Sequence, residues 1–254
     1  LRTSGKGLEI LRKSGIDVYP DFLVDEGINF NIGYFNNLLH QRPFVTLKYA
    51  ISLDGKIALK NKNSKWITNK LSRNFGHLLR AQSDGILTTS STIEEDNPML
   101  TCRLNGLDKY SLLKIIVDRE LKLNDSYSIF NNSKQIKLIV YHNSNNQSKI
   151  KKYPKNVDLV YIKNKKNFLK SILTDLANRK IKNLLIESGS TFGSEMIKAK
   201  LIDQIAFFRS NKIIGNDGIP FIKNLYLKKI SNSLIMNLID FKLLDNDLYE
   251  LRRF

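Results

Sequence analysis

At 254 residues and 42% hydrophobic content the chain can bury the core of one large domain or of a domain with an appendage, and its single cysteine, Cys102, excludes internal disulfides and a thiolate zinc cage, so no structural metal is expected. No apolar run is long enough to cross a bilayer and the start lacks the order of a signal peptide, so a cytoplasmic protein is expected. The formal charge of +17 comes largely from lysines spread among asparagines, as in 143–156 and 163–167; with no aromatics interleaved, this reads as a solvated surface rather than a nucleic-acid groove.

Residues 1–42 read as an appendage too small to fold alone. They hold an amphipathic stretch around Leu8 and Leu11, a short strand at 16–18 and a helix over 25–39. Over 44–52, Val45, Leu47, Tyr49 and Ile51 alternate with Thr46, Lys48, Ala50 and Ser52, which is the period of a strand, and Asp54-Gly55 ends it as a turn. Thr68 is placed to cap a helix whose Leu71, Phe75, Leu78 and Leu79 form a packing stripe, while Arg73, His77 and Arg80 form a second, positively charged one. A buried strand at 86–89 then runs into a helical turn at 92–96. Further strands are expected at 114–118, 137–141, 157–162, 183–187 and 204–209, with a last one near 248–254. Helical spacing of Leu169, Ile172, Leu173 and Leu176, and of Phe192, Met196 and Ala199, places helices between them. Strands alternating with helices predict an α/β protein with a mostly parallel sheet.

Three constellations can carry chemistry. An apolar strand empties into Glu187-Ser188-Gly189-Ser190-Thr191-Phe192-Gly193-Ser194-Glu195. Its backbone N–H groups at a helix start suit a phosphate or pyrophosphate, and they equally suit a plain strand-to-helix turn. The second runs from Lys48 to Trp66; Lys48, Ala50 and Ser52 share a strand face, where Ala50 lets a flat ring approach, and Trp66, the only tryptophan, reads on its own as a core residue. The third holds Thr92, Asp96, Leu100 and Arg103; Arg103 together with Arg80 can grip a phosphate with paired guanidinium donors. His40, His77 and His142 are scattered, and no nucleophile elbow occurs. Hydride transfer needs neither.

Five ordered stretches carry a resemblance: residues 42–58 (RPFVTLKYAISLDGKIA), 64–68 (SKWIT), 79–84 (LRAQSD), 92–103, and the loop 187–193. Together they resemble the reductase domain of the bifunctional riboflavin-biosynthesis deaminase/reductase family. That resemblance implies a dihydrofolate-reductase-like fold with a mostly parallel mixed sheet flanked by helices, and NADPH as hydride donor. It implies a reaction that opens the ribose of 5-amino-6-(5-phosphoribosylamino)uracil and delivers hydride to C1′.

By position in the family pattern, Ala50, Trp66, Thr92, Asp96 and Gly189, Ser190, Thr191, Phe192, Gly193, Ser194 and Glu195 would line the cofactor. Arg119 would meet its adenosine end, where an arginine can pair with a 2′-phosphate. Ser64, Arg80, Leu100, Arg103 and Glu187 would hold the substrate. Lys48 and Asp96 are alternative proton donors, and Glu187 is a third catalytic candidate, suited to sugar hydroxyls or ring N–H groups. Asn97 stands where the family often has a second acid, and Ser190 where it often has proline or another small residue.

Residues 1–42 resemble the tail of the family's deaminase domain, in Gly5-Lys6-Gly7-Leu8-Glu9-Ile10-Leu11 and Ser14-Gly15-Ile16-Asp17-Val18, with the reductase domain over 43–254. The deaminase zinc motif, H-x-E followed by P-C-x-x-C, does not occur, so neither deaminase activity nor zinc is expected. Leu1 in place of Met points to a longer or processed chain, and the family implies a homodimer. Two other readings stand beside this one: a basic nucleic-acid-binding protein, and an idle remnant of the reductase fold with a structural role.

Overall fold

The computed structural model describes residues 5–107, 112–131 and 137–254. In chain order its elements are α1 (Lys6–Lys13), α2 (Val24–Phe30), α3 (Ile32–His40), β1 (Phe44–Ile51), β2 (Lys56–Leu59), α4 (Lys70–Ala81), β3 (Gly85–Thr89), α5 (Ser90–Asp96), β4 (Leu113–Val117) and β5 (Leu138–His142). There follow α6 (Gln147–Ile150), β6 (Asp158–Tyr161), α7 (Phe168–Asn178), β7 (Asn183–Ile186), α8 (Ser190–Lys198), β8 (Gln204–Arg209), β9 (Gly218–Pro220), β10 (Asn237–Leu244) and β11 (Asp247–Arg253). Nine strands form one sheet in the order β10-β11-β8-β1-β7-β3-β4-β5-β6. Every pairing from β8 to β6 is parallel, and β11 and β10 close the other edge antiparallel. This is the expected mostly parallel mixed sheet.

β1 lies near the middle of the sheet and is covered on both faces. Val45, Leu47, Tyr49 and Ile51 point into a core built with α7 and α8 through Phe168, Ile172, Leu176, Phe192 and Met196. The opposite face of the sheet is covered by α4, α5 and the segment 121–130, with Phe75 and Leu79 against Phe208 and Tyr249, and with Ile93 and Leu100 against Ile86 and Ile116. Each fully buried aliphatic side chain contributes roughly 1.5–3 kcal/mol, so the register of β1 is fixed: a slip of one residue would turn this buried set onto the half-buried Lys48 face. With β1, β7 and β3 adjacent and parallel, their carboxyl ends open on one side, which is where open α/β sheets bind ligands.

Several local expectations are corrected. The stretch 16–18 forms no strand: it joins α1 to α2 in the open, with Ile16 half exposed and no ladder partner. The helix expected over 25–39 is two helices, broken at Asn31, whose side-chain amide donates to the Gly27 carbonyl and competes with the helical ladder. Asn69 rather than Thr68 caps α4. Its Oδ1 accepts from the Ser72 N–H at 2.9 Å, and Asp247 fixes it by accepting from the Asn69 N–H and the Ser72 hydroxyl.

The polar stripe of α4 faces inward rather than toward solvent. Ser72, Gly76 and His77 are its buried positions and Leu71 is exposed, because the helix lies across the Lys48 face of β1 and brings Arg80 to a carboxylate at the end of β7. The short pair β2 and β9 and the edge strand β10 have no counterpart among the strands expected from the sequence. In β10 a register irregularity between Leu238 and Asp240 breaks the alternation.

Candidate active site

A cleft of about 480 Å³ opens at the carboxyl ends of β1, β7 and β3. Its walls include Lys48 and Ala50 from β1, Ser64 and Trp66 from the loop after β2, Arg80 from α4, Thr92 and Asp96 from α5, Leu100 and Arg103 from the segment beyond, and Glu187 with Gly189 after β7. Eleven positions singled out in the sequence thus share one cavity, although they are spread over five stretches of chain.

Glu187 is the electrostatic centre. Arg80 grips it in a bidentate pair, Nε to Oε1 and an Nη to Oε2, both at 2.8 Å, and the other Nη donates to the Thr101 carbonyl at 2.9 Å. The Glu187 backbone is pinned as well: its N–H donates to the Leu87 carbonyl, and its carbonyl accepts from the Thr88 hydroxyl at 2.8 Å. Burial alone would raise the Glu187 pKa, but Arg80 and then Lys48 outweigh it and hold the carboxyl at about 2. Glu187 is therefore an ionised acceptor at neutral pH and cannot serve as an acid. Lys48 enters from β1 with its ammonium 5.6 Å from the centre of the Phe208 ring. Burial pushes its pKa down, partly opposed by Glu187 and reinforced by Arg80. Asp96 ends α5 at the rim; desolvation by the cleft walls pushes its pKa up, and Lys65 pulls the other way.

The two arginines differ in what holds them. Arg80 is committed to Glu187, so they do not form the paired grip on an anion that the sequence suggests. Arg103 has no carboxylate within ion-pair distance among the described residues and rests on the ring of His77. Trp66 is not a core residue. It is 60% exposed on the cleft, Arg73 stacks its guanidinium 4.4 Å from the ring centre, and its carbonyl accepts from Lys212. Burying that indole would take it off the loop that forms the wall.

The segment 189–195 is a helix start rather than an extended loop. Gly189 is the N-cap of α8, with no side-chain cap, so the first N–H groups of the helix are available at the cleft. Beyond it, Ser190, Phe192, Gly193 and Ser194 are buried. Phe192 lies in the core, and Ser194 accepts from the Lys223 N–H at 2.8 Å. Gly193 is required by packing, since a Cβ there would meet the Tyr49 hydroxyl at 1.8 Å. Glu195 and Arg119 lie outside the cleft walls, paired at 3.0 Å with Arg119 over the Phe168 ring. Asn97 adopts φ 43° at the end of α5, a conformation asparagine tolerates well, and its Oδ1 accepts from the Ser128 N–H at 2.7 Å.

Two site residues escape sequence reasoning. His77 reads in the sequence as part of a charged surface stripe, and its spacing of three from Arg80 on one helix is the available signal. Ser188 lines the cleft with a buried hydroxyl that has no hydrogen-bond partner. Buried hydroxyls of that kind call for a ligand atom or water, and nothing in a Glu-Ser-Gly run marks one in advance.

Among the described residues no cluster of three or more His, Cys, Asp or Glu could hold a metal ion, and no helix is long and apolar enough to cross a membrane. The family profile described as the RibD C-terminal domain matches residues 43–248. The riboflavin biosynthesis protein RibD of Aquifex aeolicus is 34% identical over 231 residues, covering 91% of this chain and 63% of that protein. The 5-amino-6-(5-phosphoribosylamino)uracil reductase of Buchnera aphidicola subsp. Acyrthosiphon pisum is 34% identical over 189 residues, covering 69% of this chain and 89% of that protein. A solved structure from Thermotoga maritima, a diaminohydroxyphosphoribosylaminopyrimidine deaminase/5-amino-6-(5-phosphoribosylamino)uracil reductase, superposes with a TM-score of 0.85 at 31% identity, over 99% of this chain and 68% of that one. The chain thus spans just under two thirds of the length of the first RibD relatives it matches, 63% and 64%.

Proposed function

The chain belongs to the RibD C-terminal domain family, and from that premise we propose that it reduces 5-amino-6-(5-phosphoribosylamino)uracil to its ribitylamino counterpart with NADPH. The observation that carries the reading is the convergence of Lys48, Trp66, Arg80, Asp96, Arg103, Glu187 and the uncapped start of α8 on one cleft. A nicotinamide dinucleotide fits these residues: the free N–H groups at Gly189 suit its pyrophosphate, Ala50 leaves room for a flat ring, and the Ser188 hydroxyl lacks a partner. When bound, that group supplies the hydride.

The protein's own part is position and proton management. Glu187, ionised and immobilised by Arg80, accepts hydrogen bonds from sugar hydroxyls or ring N–H groups of the substrate. Arg103, its charge unspent, holds the phosphate. Lys48 is the proton donor to the opening sugar ring: it sits in the cleft floor beside Glu187, where burial favours release of its proton, whereas Asp96 stands at the exposed rim. Arg119 at the end of β4 would read the 2′-phosphate and favour NADPH over NADH, which requires it to exchange Glu195 for that group.

Residues 43–254 make up the reductase and 1–42 the tail of a preceding deaminase domain. A homodimer is the expected assembly, and edge strand β10, with Leu238, Phe241 and Leu243 exposed, offers a surface for it.

The test is spectroscopic NADPH oxidation with enzymatically prepared substrate, alongside an Arg103→Ala, Glu187→Ala double variant. Turnover that requires the substrate and is lost in the variant supports the reading. Absence of both turnover and saturable NADPH binding refutes it.

A further inference from the structure

His77 is 8% exposed, and its ring lies between two guanidinium groups. Its Nε2 is 3.4 Å from both Nε and an Nη of Arg103, and its Nδ1 is 3.5 Å from an Nη of Arg80. The Thr101 carbonyl, which accepts from Arg80, also faces the ring. An imidazolium has only donors, so a ring that receives Arg103 at Nε2 must be neutral and carry its proton on Nδ1, where the Thr101 carbonyl can take it. The surroundings agree: burial first, then the charges of Arg80 and Arg103, hold the His77 pKa near 4.

Two consequences follow for Arg103. Its orientation is set by an uncharged acceptor, so its positive charge is not neutralised as that of Arg80 is by Glu187. Its remaining guanidinium donors stay free for an anion in the cleft. Of the groups on the proposed substrate only the phosphate carries a negative charge at neutral pH, and a bidentate guanidinium is the natural partner for it.

We infer that His77 is a positioning residue whose unprotonated Nε2 aims the Arg103 guanidinium at the substrate's phosphate. The identity of that substrate rests on the reductase reading above; the hydrogen-bond arrangement does not.

The experiment compares wild type, His77→Leu and His77→Gln on the phosphorylated substrate and on its dephosphorylated counterpart. Losing a hydrogen bond to a charged group corresponds to a change of about tenfold or more. His77→Leu should therefore raise KM for the phosphorylated substrate about tenfold, with a several-fold smaller effect on the dephosphorylated compound. His77→Gln, which returns an acceptor near the Nε2 position, should recover most of the loss. Equal losses on both substrates, or no recovery in His77→Gln, would overturn the inference.

An independent readout needs no turnover. NMR of isotope-labelled histidine in the wild type should show His77 as the Nδ1–H tautomer, with signals that move on addition of inorganic phosphate and that stay still in Arg103→Ala. An Nε2–H tautomer, or signals indifferent to phosphate, overturns it. Failure of the wild type to oxidise NADPH would count against the reductase reading alone, and the NMR result would still decide the role of His77.

Discussion

Glu187→Gln isolates the central ion pair. The Glu187 pKa falls from an ordinary 4.5 to about 2. At 1.36 kcal/mol for each step of one in pKa, this is on the order of 3 kcal/mol of folding stability. Both partners are only 15% exposed, so solvent screening removes little of it. The sign is that of a depressed carboxylate: the contribution is complete above pH 4.5 and is lost as pH falls through about 2. Glu187→Gln should thus cost roughly 3 kcal/mol at pH 7, aggravated by the uncompensated charges of Arg80 and Lys48 it leaves behind. For a chain of this size that is a fall in Tm of roughly 6–12 °C.

The assay is urea unfolding of both proteins at neutral pH and again at successively lower pH, where their stabilities should converge as Glu187 of the wild type takes up its proton. A double variant with Arg80→Gln added should regain part of the loss, because the orphaned buried cation is gone. A Glu187→Gln protein within 1 kcal/mol of wild type at pH 7, or a gap that does not narrow with acid, would refute the view that this pair is held by mutual charge in a desolvated site.

Other outcomes follow from single contacts. Gly193→Ala should destabilise by roughly 1–3 kcal/mol or more because its Cβ collides with the Tyr49 hydroxyl, and Tyr49→Phe in the same background should restore much of the loss, as thermal melts would show. Asp203→Asn should cost about 3 kcal/mol in denaturant titrations. It breaks the bidentate contact to Arg42 at 2.6 and 2.7 Å and weakens the bond from the Val45 N–H, which together tie the beginning of β1 to the start of β8. Arg119→Ala should leave stability within about 1 kcal/mol, since its pair with Glu195 is exposed, yet narrow the ratio of kcat/KM for NADPH over NADH about tenfold. Lys48→Met should reduce kcat by about a hundredfold or more and remove the alkaline limb of the pH profile, while Asp96→Asn retains it; the reverse result would move the proton to Asp96.

Much of the fold is local and could be read from residue order. Alternation in β1, short aliphatic runs in β3, β4, β5 and β7, and helical spacing in α7 and α8 each reflect burial of one element's own face, which a linear pattern records. The five ordered motifs likewise contain most of the residues of the cleft wall. The pattern says less where a residue's role depends on what another element brings to it. The stripe of α4 reads as solvent-facing because three basic side chains on a helix usually are. Only the juxtaposition of α4 with the end of β7 makes burying Arg80 beside Glu187 favourable, and turns His77 inward with it.

The same holds for Trp66, whose large apolar ring suggests a core position but whose loop stands at the cleft. It holds again for Gly193, whose necessity comes from a tyrosine about 140 positions earlier in the chain. The sequence determined the strands from β1 to β8 that form the parallel part of the sheet, the chemistry available and the family, but not β2, β9 or β10. The tertiary structure decided which charges cancel and which remain free, because a Coulomb interaction depends on distance and desolvation, and neither is set until strands remote in sequence lie side by side.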